Sequence, residues 1–166
     1  MAKAKTKYFN EVTARLCLRE EPSLYQNCSC NTPEDAVTFV RSFLADLPQE
    51  WIVVVNCNCR NRPLNYTVAS VGTDVGTICD PSSIFRTAML SGARSILMFH
   101  NHPSGDLSPS KEDVTVTKRI GLTGQIIGVR LLDHIIVSSG GYYSFHDQRP
   151  DLFTNMDIDR MVDSIK

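Results

Sequence analysis

The sequence predicts an α/β protein of the α+β type, in which a mixed β-sheet is flanked by helices. Three observations predict this class: short apolar runs rich in β-branched residues, helical segments that begin with capping residues, and hairpin-length turns between several of the runs. The chain has 166 residues, 42% of them hydrophobic and 21% charged, so one domain with a substantial core is expected.

The N-terminal part predicts a strand followed by a helix. Tyr8–Arg19 alternates as a strand does, with four apolar residues on one face: Val12, Ala14, Leu16 and Leu18. A polar loop over 20–31 separates it from Thr32, a suitable helix N-cap, and from Pro33 and two acidic residues in the first turn. Apolar residues then recur at helical spacing, and Pro48 ends the helix.

The middle of the chain predicts a hairpin of two strands. Trp51–Val55 is a continuous apolar run, read as a buried strand, and a turn at 58–63 leads into the returning strand Tyr66–Val71. Two Gly-Thr pairs form the next loop: Gly72-Thr73 and Gly76-Thr77.

The second half predicts alternating helices and strands. A helix begins at Asp80-Pro81, runs to about Ser91 and ends at Gly92. The short apolar run Ser95–Phe99 leads straight into His100. A further helix, capped by Ser108-Pro109 or by Ser110, runs to about Leu122. The last predicted elements are strands at 129–137 and 142–145 and a terminal helix at 157–164.

These elements suggest a division into three parts. Residues 1–32 are expected to form an N-terminal extension packed on the core, residues 33–150 the domain itself, and residues 151–166 a C-terminal helical tail. The extension is too short to bury much surface on its own. An exposed edge strand near the N-terminus would offer a way to pair two copies as a homodimer.

Composition and charge limit the classes of function. A formal net charge of −1 provides no general attraction for nucleic acid. Some basic residues lie near the motif described below, and they form either a local nucleic-acid patch or a solvated face: Lys111, Lys118, Arg119 and Arg130. There is no apolar run of ~20 residues and no signal-peptide pattern, so no membrane association and a cytoplasmic location are expected.

Six cysteines include two Cys-x-Cys pairs, Cys28 with Cys30 and Cys57 with Cys59. Four thiols in two pairs can bind a structural zinc ion, but zinc ribbons and fingers usually space each pair by two to four residues. The interpretation we favour is reduced thiols packed as small hydrophobic side chains.

The run His100-Asn101-His102-Pro103-Ser104-Gly105, followed by Ser110 and Asp113, is the most informative stretch. Two imidazoles at i and i+2 lie on one side of an extended segment, so both can reach one metal ion. Asp113 can supply an oxygen ligand from the start of the next helix. Three protein ligands leave a fourth position open for water, as in catalytic zinc sites.

This stretch, with its spacing, resembles the JAMM motif of JAB/MPN metalloproteases in the form found in RadC-like proteins. Glu50 resembles the upstream acid of that family, Gly72-Thr73 its short loop, and Leu131–Val137 its LLDHIIV strand. The resemblance covers residues 33 to about 146. It implies a cytidine-deaminase-like JAB/MPN fold.

The resemblance also implies a role for each site residue. His100, His102 and Asp113 would bind Zn²⁺, Glu50 would be the general base, and Ser110 would donate a hydrogen bond to the oxyanion of the tetrahedral intermediate. Zinc chemistry with a nearby carboxylate and a fixed hydroxyl suits amide hydrolysis.

Several residues keep a second interpretation. A Glu before a strand is commonly a surface charge, and a Ser at a helix start is commonly an N-cap. Asp133 and His134 lie in an apolar strand, where one of them either is a hydrogen-bonded core residue or orients a ligand imidazole. Ser104 and Gly105 are expected only to shape the turn.

The chain departs from the RadC-like pattern in two ways. Ser82 follows Pro81 where the pattern usually has Arg, so the role of that Arg is absent or has moved to Arg86. RadC-like proteins also often carry a helix-hairpin-helix segment before this domain, and none is expected here.

The leading hypothesis is therefore a zinc metallohydrolase that cleaves a peptide or isopeptide bond. The alternative is a DNA-repair-associated accessory protein or a non-catalytic MPN-like interaction module. Intact ligands argue against a scaffold, and the near-neutral charge argues against direct DNA binding. Hydrolysis of a nucleotide or a small amide also stays open.

Overall fold

The structure, a computed structural model, describes residues 12–19, 30–72 and 79–154. Its helices and strands follow in chain order: α1 Pro33–Leu44, β1 Trp51–Cys57, β2 Pro63–Val71, α2 Pro81–Leu90, β3 Ser95–Asn101, α3 Lys111–Ile127, β4 Arg130–Ser138, β5 Gly141–Ser144 and α4 Phe145–Gln148, with a 3₁₀ turn at Pro150–Leu152. The predicted α+β class, a mixed sheet with flanking helices, is confirmed.

The five strands form one sheet in the order β2-β1-β3-β4-β5. Among the strands of the described residues, only β3 and β4 pair in parallel, and α3 makes the crossover that a parallel pair requires. The other three pairings are antiparallel. Strand β3 therefore lies at the centre of the sheet, and all seven of its residues are buried.

The core has one layer on each face of the sheet, because strand side chains alternate between faces. Helix α1 packs on the face formed by Val53, Val55, Leu97 and Phe99. Helices α2 and α3 pack on the opposite face, through Phe85 and Ile120 against Ile52, Val54, Ile96 and Met98. The second face is the one that carries the site.

The predicted capping residues begin the helices. Thr32 Oγ1 accepts from Asp35 N–H at 3.2 Å before α1, and Ser110 forms a capping box before α3. Helix α3 extends to Ile127, five residues beyond the predicted end, although Gly121 and Gly124 lower its helix propensity. Gly124 lies close to the Val129 carbonyl, where a Cβ would come within 2.4 Å. Close packing therefore outweighs propensity here.

Some boundaries differ from the prediction. Helix α1 ends at Leu44 rather than near Leu47, β1 extends to Cys57, and β3 continues through His100 and Asn101. Phe145 begins α4 instead of ending a strand. Pairing with neighbouring strands, which local sequence does not reveal, sets the ends of β1 and β3.

The predicted N-terminal strand is wrong over residues 12–19, which are in no regular element and are exposed. Val12 is 89% exposed. Alternation alone does not form a strand when no partner strand pairs with it. Residues 8–11, the loop at 73–77 and the terminal helix at 157–164 lie outside the described residues, and the three-part division of the chain stays a prediction.

Among the described cysteines, all five have free thiols: Cys17, Cys30, Cys57, Cys59 and Cys79. Cys30, Cys57 and Cys79 are buried within the apolar clusters, as expected for small hydrophobic side chains. Within 12–19, 30–72 and 79–154, no helix has both the length and the apolar character required to span a bilayer.

Candidate metal centre

The two motif histidines lie at the C-terminal end of β3. His100 is in the strand and only 1% exposed, and His102 follows the last strand residue. Because β3 alternates, His100 shares the α3 side of the sheet with Ile96 and Met98. Asn101 points to the opposite side. The i, i+2 spacing thus places both imidazoles on one face, as predicted.

Asp113 is held at the start of α3 by a capping box. The backbone N–H and the hydroxyl of Ser110 both donate to Asp113 Oδ2, each at 2.7 Å, and Asp113 N–H donates back to Ser110 Oγ at 3.0 Å. These bonds fix the carboxylate and leave Oδ1 directed at His100, 3.3 Å from Nε2. The N-cap interpretation of Ser110 is confirmed.

The three side chains converge. His100 Nε2 lies 2.9 Å from His102 Nε2, and His102 Nε2 lies 3.6 Å from Asp113 Oδ2. The ligand atoms of the three residues all lie within 4.8 Å of one another. Tetrahedral zinc with bonds of about 2.1 Å separates its ligand atoms by about 3.4 Å. The spacing and the two-nitrogen, one-oxygen donor set both fit such an ion.

The charges of this cluster depend on one another. Burial acts to raise the pKa of Asp113, but the imidazoles of His100 and His102 that face it and the Ser110 hydroxyl outweigh burial and hold that pKa well below its usual range. The facing Asp113 carboxylate raises the pKa of His102, and the nearby charge of Glu50 adds to the increase. The site therefore favours an ionised carboxylate and attracts positive charge.

The backbone of the loop after the motif orients His102. Its Nδ1 lies 2.6 Å from the carbonyl oxygen of Asp106, so Nδ1 carries the proton and donates it there. That tautomer leaves Nε2 free for a metal ion. The turn that brings Asp106 back to His102 includes Gly105 at φ +77, a conformation that suits glycine.

His100 contacts a third imidazole. Its Nδ1 lies 2.7 Å from Nε2 of His134 on the neighbouring strand β4, and His134 Nδ1 lies 2.6 Å from Thr117 Oγ1 on α3. Burial keeps the pKa of His134 well below its usual value. The His134 ring also stacks on Phe145, with centroids 4.8 Å apart.

Asp133 does not contact the cluster. Its Oδ2 accepts from the Ser144 hydroxyl at 2.6 Å and its Oδ1 from His146 N–H at 2.8 Å, which fixes the turn between β5 and α4. Burial raises the pKa of Asp133 to about 6, against the opposing effect of these hydrogen bonds. Of these two residues, His134 is the one that contacts the His100 imidazole.

Glu50 immediately precedes β1, and its charge acts on the His102 imidazole. In the antiparallel pairing of β1 with β3, Ile52 is opposite His100. Glu50 and Ile52 are two residues apart and share the face of the sheet that carries the site. The Glu50 carbonyl accepts from Gly72 N–H at 2.7 Å, so the end of β2 is joined to the segment before β1.

Asn101 holds the same segment from the other face of the sheet. Its Oδ1 accepts from Trp51 N–H at 2.9 Å, and its Nδ2 donates to the carbonyls of Leu47 and Gln49. Sequence reasoning missed this residue and Thr117. Thr117 could have been found from its spacing, because it lies four residues after Asp113 and therefore on the same face of the helix.

Comparisons with known proteins agree with this architecture. The model of the family described as the RadC-like JAB domain matches residues 30–150. A UPF0758 protein of Caldanaerobacter subterraneus is 37% identical over 154 residues, covering 87% of this chain and 65% of that protein. A UPF0758 protein of Shouchella clausii is 39% identical, covering 71% and 51%, and one of Listeria monocytogenes is 43% identical, covering 70% and 52%. The chain thus spans between about half and 65% of the length of these relatives.

Proposed function

Since this chain belongs to the RadC-like JAB domain family, we propose that it is a zinc-dependent metallohydrolase of the JAMM type that cleaves a peptide or isopeptide amide bond. One observation carries the proposal: the ligand atoms of His100, His102 and Asp113 lie within 4.8 Å of one another on a fixed scaffold. Three protein ligands leave one position of a tetrahedral ion for the reaction.

The protein supplies the ligand set and the ion supplies the electrophile. When bound, zinc lowers the pKa of water in its open position to about 7 and polarises a carbonyl oxygen. His100 and His102 would bind through Nε2, and Asp113 through Oδ1, the oxygen that the Ser110 capping bonds leave available.

Glu50 is proposed as the general base. It would take a proton from the attacking water and deliver it to the leaving amine, which requires a carboxylate beside the open position. The effect of its charge on the His102 imidazole supports a position near the ion for this carboxylate. Hydrogen bonds from Asn101 to Trp51 and from Gly72 to Glu50 fix the backbone at Glu50. The Glu50 side chain therefore starts from a fixed point in the site.

Ser110 is proposed to donate to the developing oxyanion. Its hydroxyl now donates to Asp113 Oδ2, so it would have to rotate toward a substrate. Asp113 would stay in place during that rotation, because the backbone N–H of Ser110 continues to hold the same oxygen. The residue would then serve both as N-cap and as an oxyanion donor.

The state of the cysteines bears on the compartment in which the protein works. The free thiols of the described residues fit a reducing, cytoplasmic compartment. The chain spans 65% and 51% of two of the relatives it matches, and the proposed hydrolysis is assigned to this domain.

The test is cleavage by zinc-loaded protein of a mixed peptide library and of a synthetic isopeptide, with new amines detected by mass spectrometry. Wild type is expected to cleave at least one, and Glu50→Gln to bind zinc equally but to cleave about 10²–10⁴-fold more slowly. Glu34→Gln, an exposed Glu on α1, is the matched control and should cleave normally. Zinc-loaded wild type that cleaves neither would favour the non-catalytic module.

A further inference from the structure

Three hydrogen bonds link His100 to Asp113, two of the proposed ligands, through two residues that are not proposed ligands. His100 Nδ1 meets His134 Nε2 at 2.7 Å, His134 Nδ1 meets Thr117 Oγ1 at 2.6 Å, and Thr117 Oγ1 donates to the Asp113 carbonyl at 2.6 Å. The chain passes from β3 through β4 to α3. His100, His134 and Thr117 are each no more than 2% exposed, so water does not compete for these bonds.

When both imidazoles are neutral, such a chain of bonds has only two consistent arrangements of its protons. In one, His100 Nδ1–H donates to His134, His134 Nδ1–H donates to Thr117, and the Thr117 hydroxyl donates to the Asp113 carbonyl. In the other, every donor is reversed, and the neutral His100 then carries its proton on Nε2. Only the first leaves Nε2 of His100 unprotonated and able to bind a metal ion.

The Asp113 carbonyl selects the first arrangement. A carbonyl oxygen can only accept, and it lies 2.6 Å from Thr117 Oγ1. In the reversed arrangement two oxygens would face each other at that distance with no proton between them. The helix fixes that carbonyl, so the metal-free protein already favours the arrangement with a proton on His100 Nδ1.

We propose that His134 and Thr117 are positioning residues for the metal centre: together they hold His100 as the Nδ1–H tautomer and direct its Nε2 toward the ion. Thr117 acts through His134, and His134 acts through His100. Metal-binding histidines usually donate their second N–H to a carboxylate, a carbonyl or water. Here the acceptor is a neutral imidazole, so no second negative charge is added behind the ligand.

The geometry separates this role from that of the adjacent Asp133. That carboxylate is occupied by Ser144 and by the His146 backbone, away from the cluster. His134 has the two contacts that a relay requires, one from each ring nitrogen.

The sharpest test is Thr117→Val, which removes the hydroxyl and nearly keeps the shape. His134 Nδ1 then has no acceptor, so the reversed arrangement becomes accessible. His100 is then no longer held as the Nδ1–H tautomer. We expect zinc affinity, measured by competition with a chromophoric chelator, to fall about 10–100-fold. Thr117→Ser restores the hydroxyl and should recover most of the loss.

Thr123→Val is the matched control. Thr123 lies on the same helix and its hydroxyl also donates to the carbonyl four residues earlier, at 2.8 Å, but it does not contact His134. Its substitution should leave zinc affinity unchanged. Thr123→Val therefore controls for the loss of a hydroxyl bonded back to the helix carbonyl, and the buried Thr117 differs from it by its contact with His134.

Nitrogen NMR of the imidazole rings gives a readout independent of zinc and of activity. Metal-free wild type and Thr123→Val should show His100 with Nδ1 protonated, whereas Thr117→Val should show a mixture of tautomers. Zinc affinity equal in the two Val variants, or an unchanged His100 tautomer in Thr117→Val, would overturn the proposal.

The failure of this inference differs from failure of the proposed function. If wild type binds zinc and Thr117→Val binds it equally well, only the relay is wrong. If wild type binds no zinc, the metal centre is wrong, and the tautomers of the metal-free protein still decide whether the relay exists.

Discussion

Asn101 Oδ1 accepts a hydrogen bond from Trp51 N–H at 2.9 Å, which ties the start of β1 to the end of β3. The two residues flank the site: Trp51 follows Glu50 in the chain, and Asn101 separates His100 from His102. One side chain, completely buried on the face opposite the ligands, therefore links the proposed base to the proposed ligand strand.

Asn101→Leu should lower stability without removing the metal. The substitution keeps a side chain branched at Cγ but leaves Trp51 N–H and two loop carbonyls without their partner. We expect the free energy of unfolding, from urea titration, to fall by about 1–3 kcal/mol. Zinc content should stay at the wild-type level, because the substitution removes none of the three proposed ligands; loss of zinc in a folded variant would refute this division of roles.

Two glycines of α3 should respond oppositely to alanine. A Cβ at Gly124 would come within 2.4 Å of the Val129 carbonyl, so Gly124→Ala should destabilise the protein by about 1–3 kcal/mol. At Gly121 the nearest atom is 3.7 Å away, and the better helix propensity of alanine should stabilise by about 0.5–1 kcal/mol. Equal effects in thermal denaturation would contradict the packing described for α3.

Asp133 should make stability fall as pH rises. Its pKa in the folded protein is raised by burial to about 6, against 3.8 ordinarily, so the folded state holds this proton more tightly than the unfolded state does. The resulting stabilisation is complete below about pH 4 and is lost as pH rises through about 6, an effect of about 2–3 kcal/mol.

The comparison for Asp133 is Asp133→Asn, which does not titrate and can still accept from His146 N–H. Unfolding of both metal-free proteins in urea, with chelator present, should show wild type losing about 2–3 kcal/mol relative to the variant between pH 4 and 7. A difference that does not change with pH would show that the carboxyl titrates normally.

The convergence of the site could be predicted because each part has a local signal. An i, i+2 pair at a strand end fixes the face of His100 and His102, and Ser110 with Asp113 is a recognisable capping box. These signals depend on few residues close together in the chain. The same holds for the beginnings of the helices at Thr32 and Ser110.

The contacts that support the site could not be predicted, since they cross between distant elements. His134 reaches His100 only because β4 pairs in parallel with β3, and Asn101 reaches Trp51 only because β1 pairs with β3. The predicted strand at 8–19 shows the converse. Its alternating pattern was real, but residues 12–19 pair with no strand.

The central claim is that three side chains bind one ion, and elemental analysis after metal-replete purification tests it most directly. We predict about one zinc ion per chain in wild type and in His146→Ala, a variant of an exposed histidine outside the cluster. His102→Ala, with two ligands left, should retain less than about a tenth of that amount. Wild type without zinc, or a folded His102→Ala with a full complement, would contradict the account.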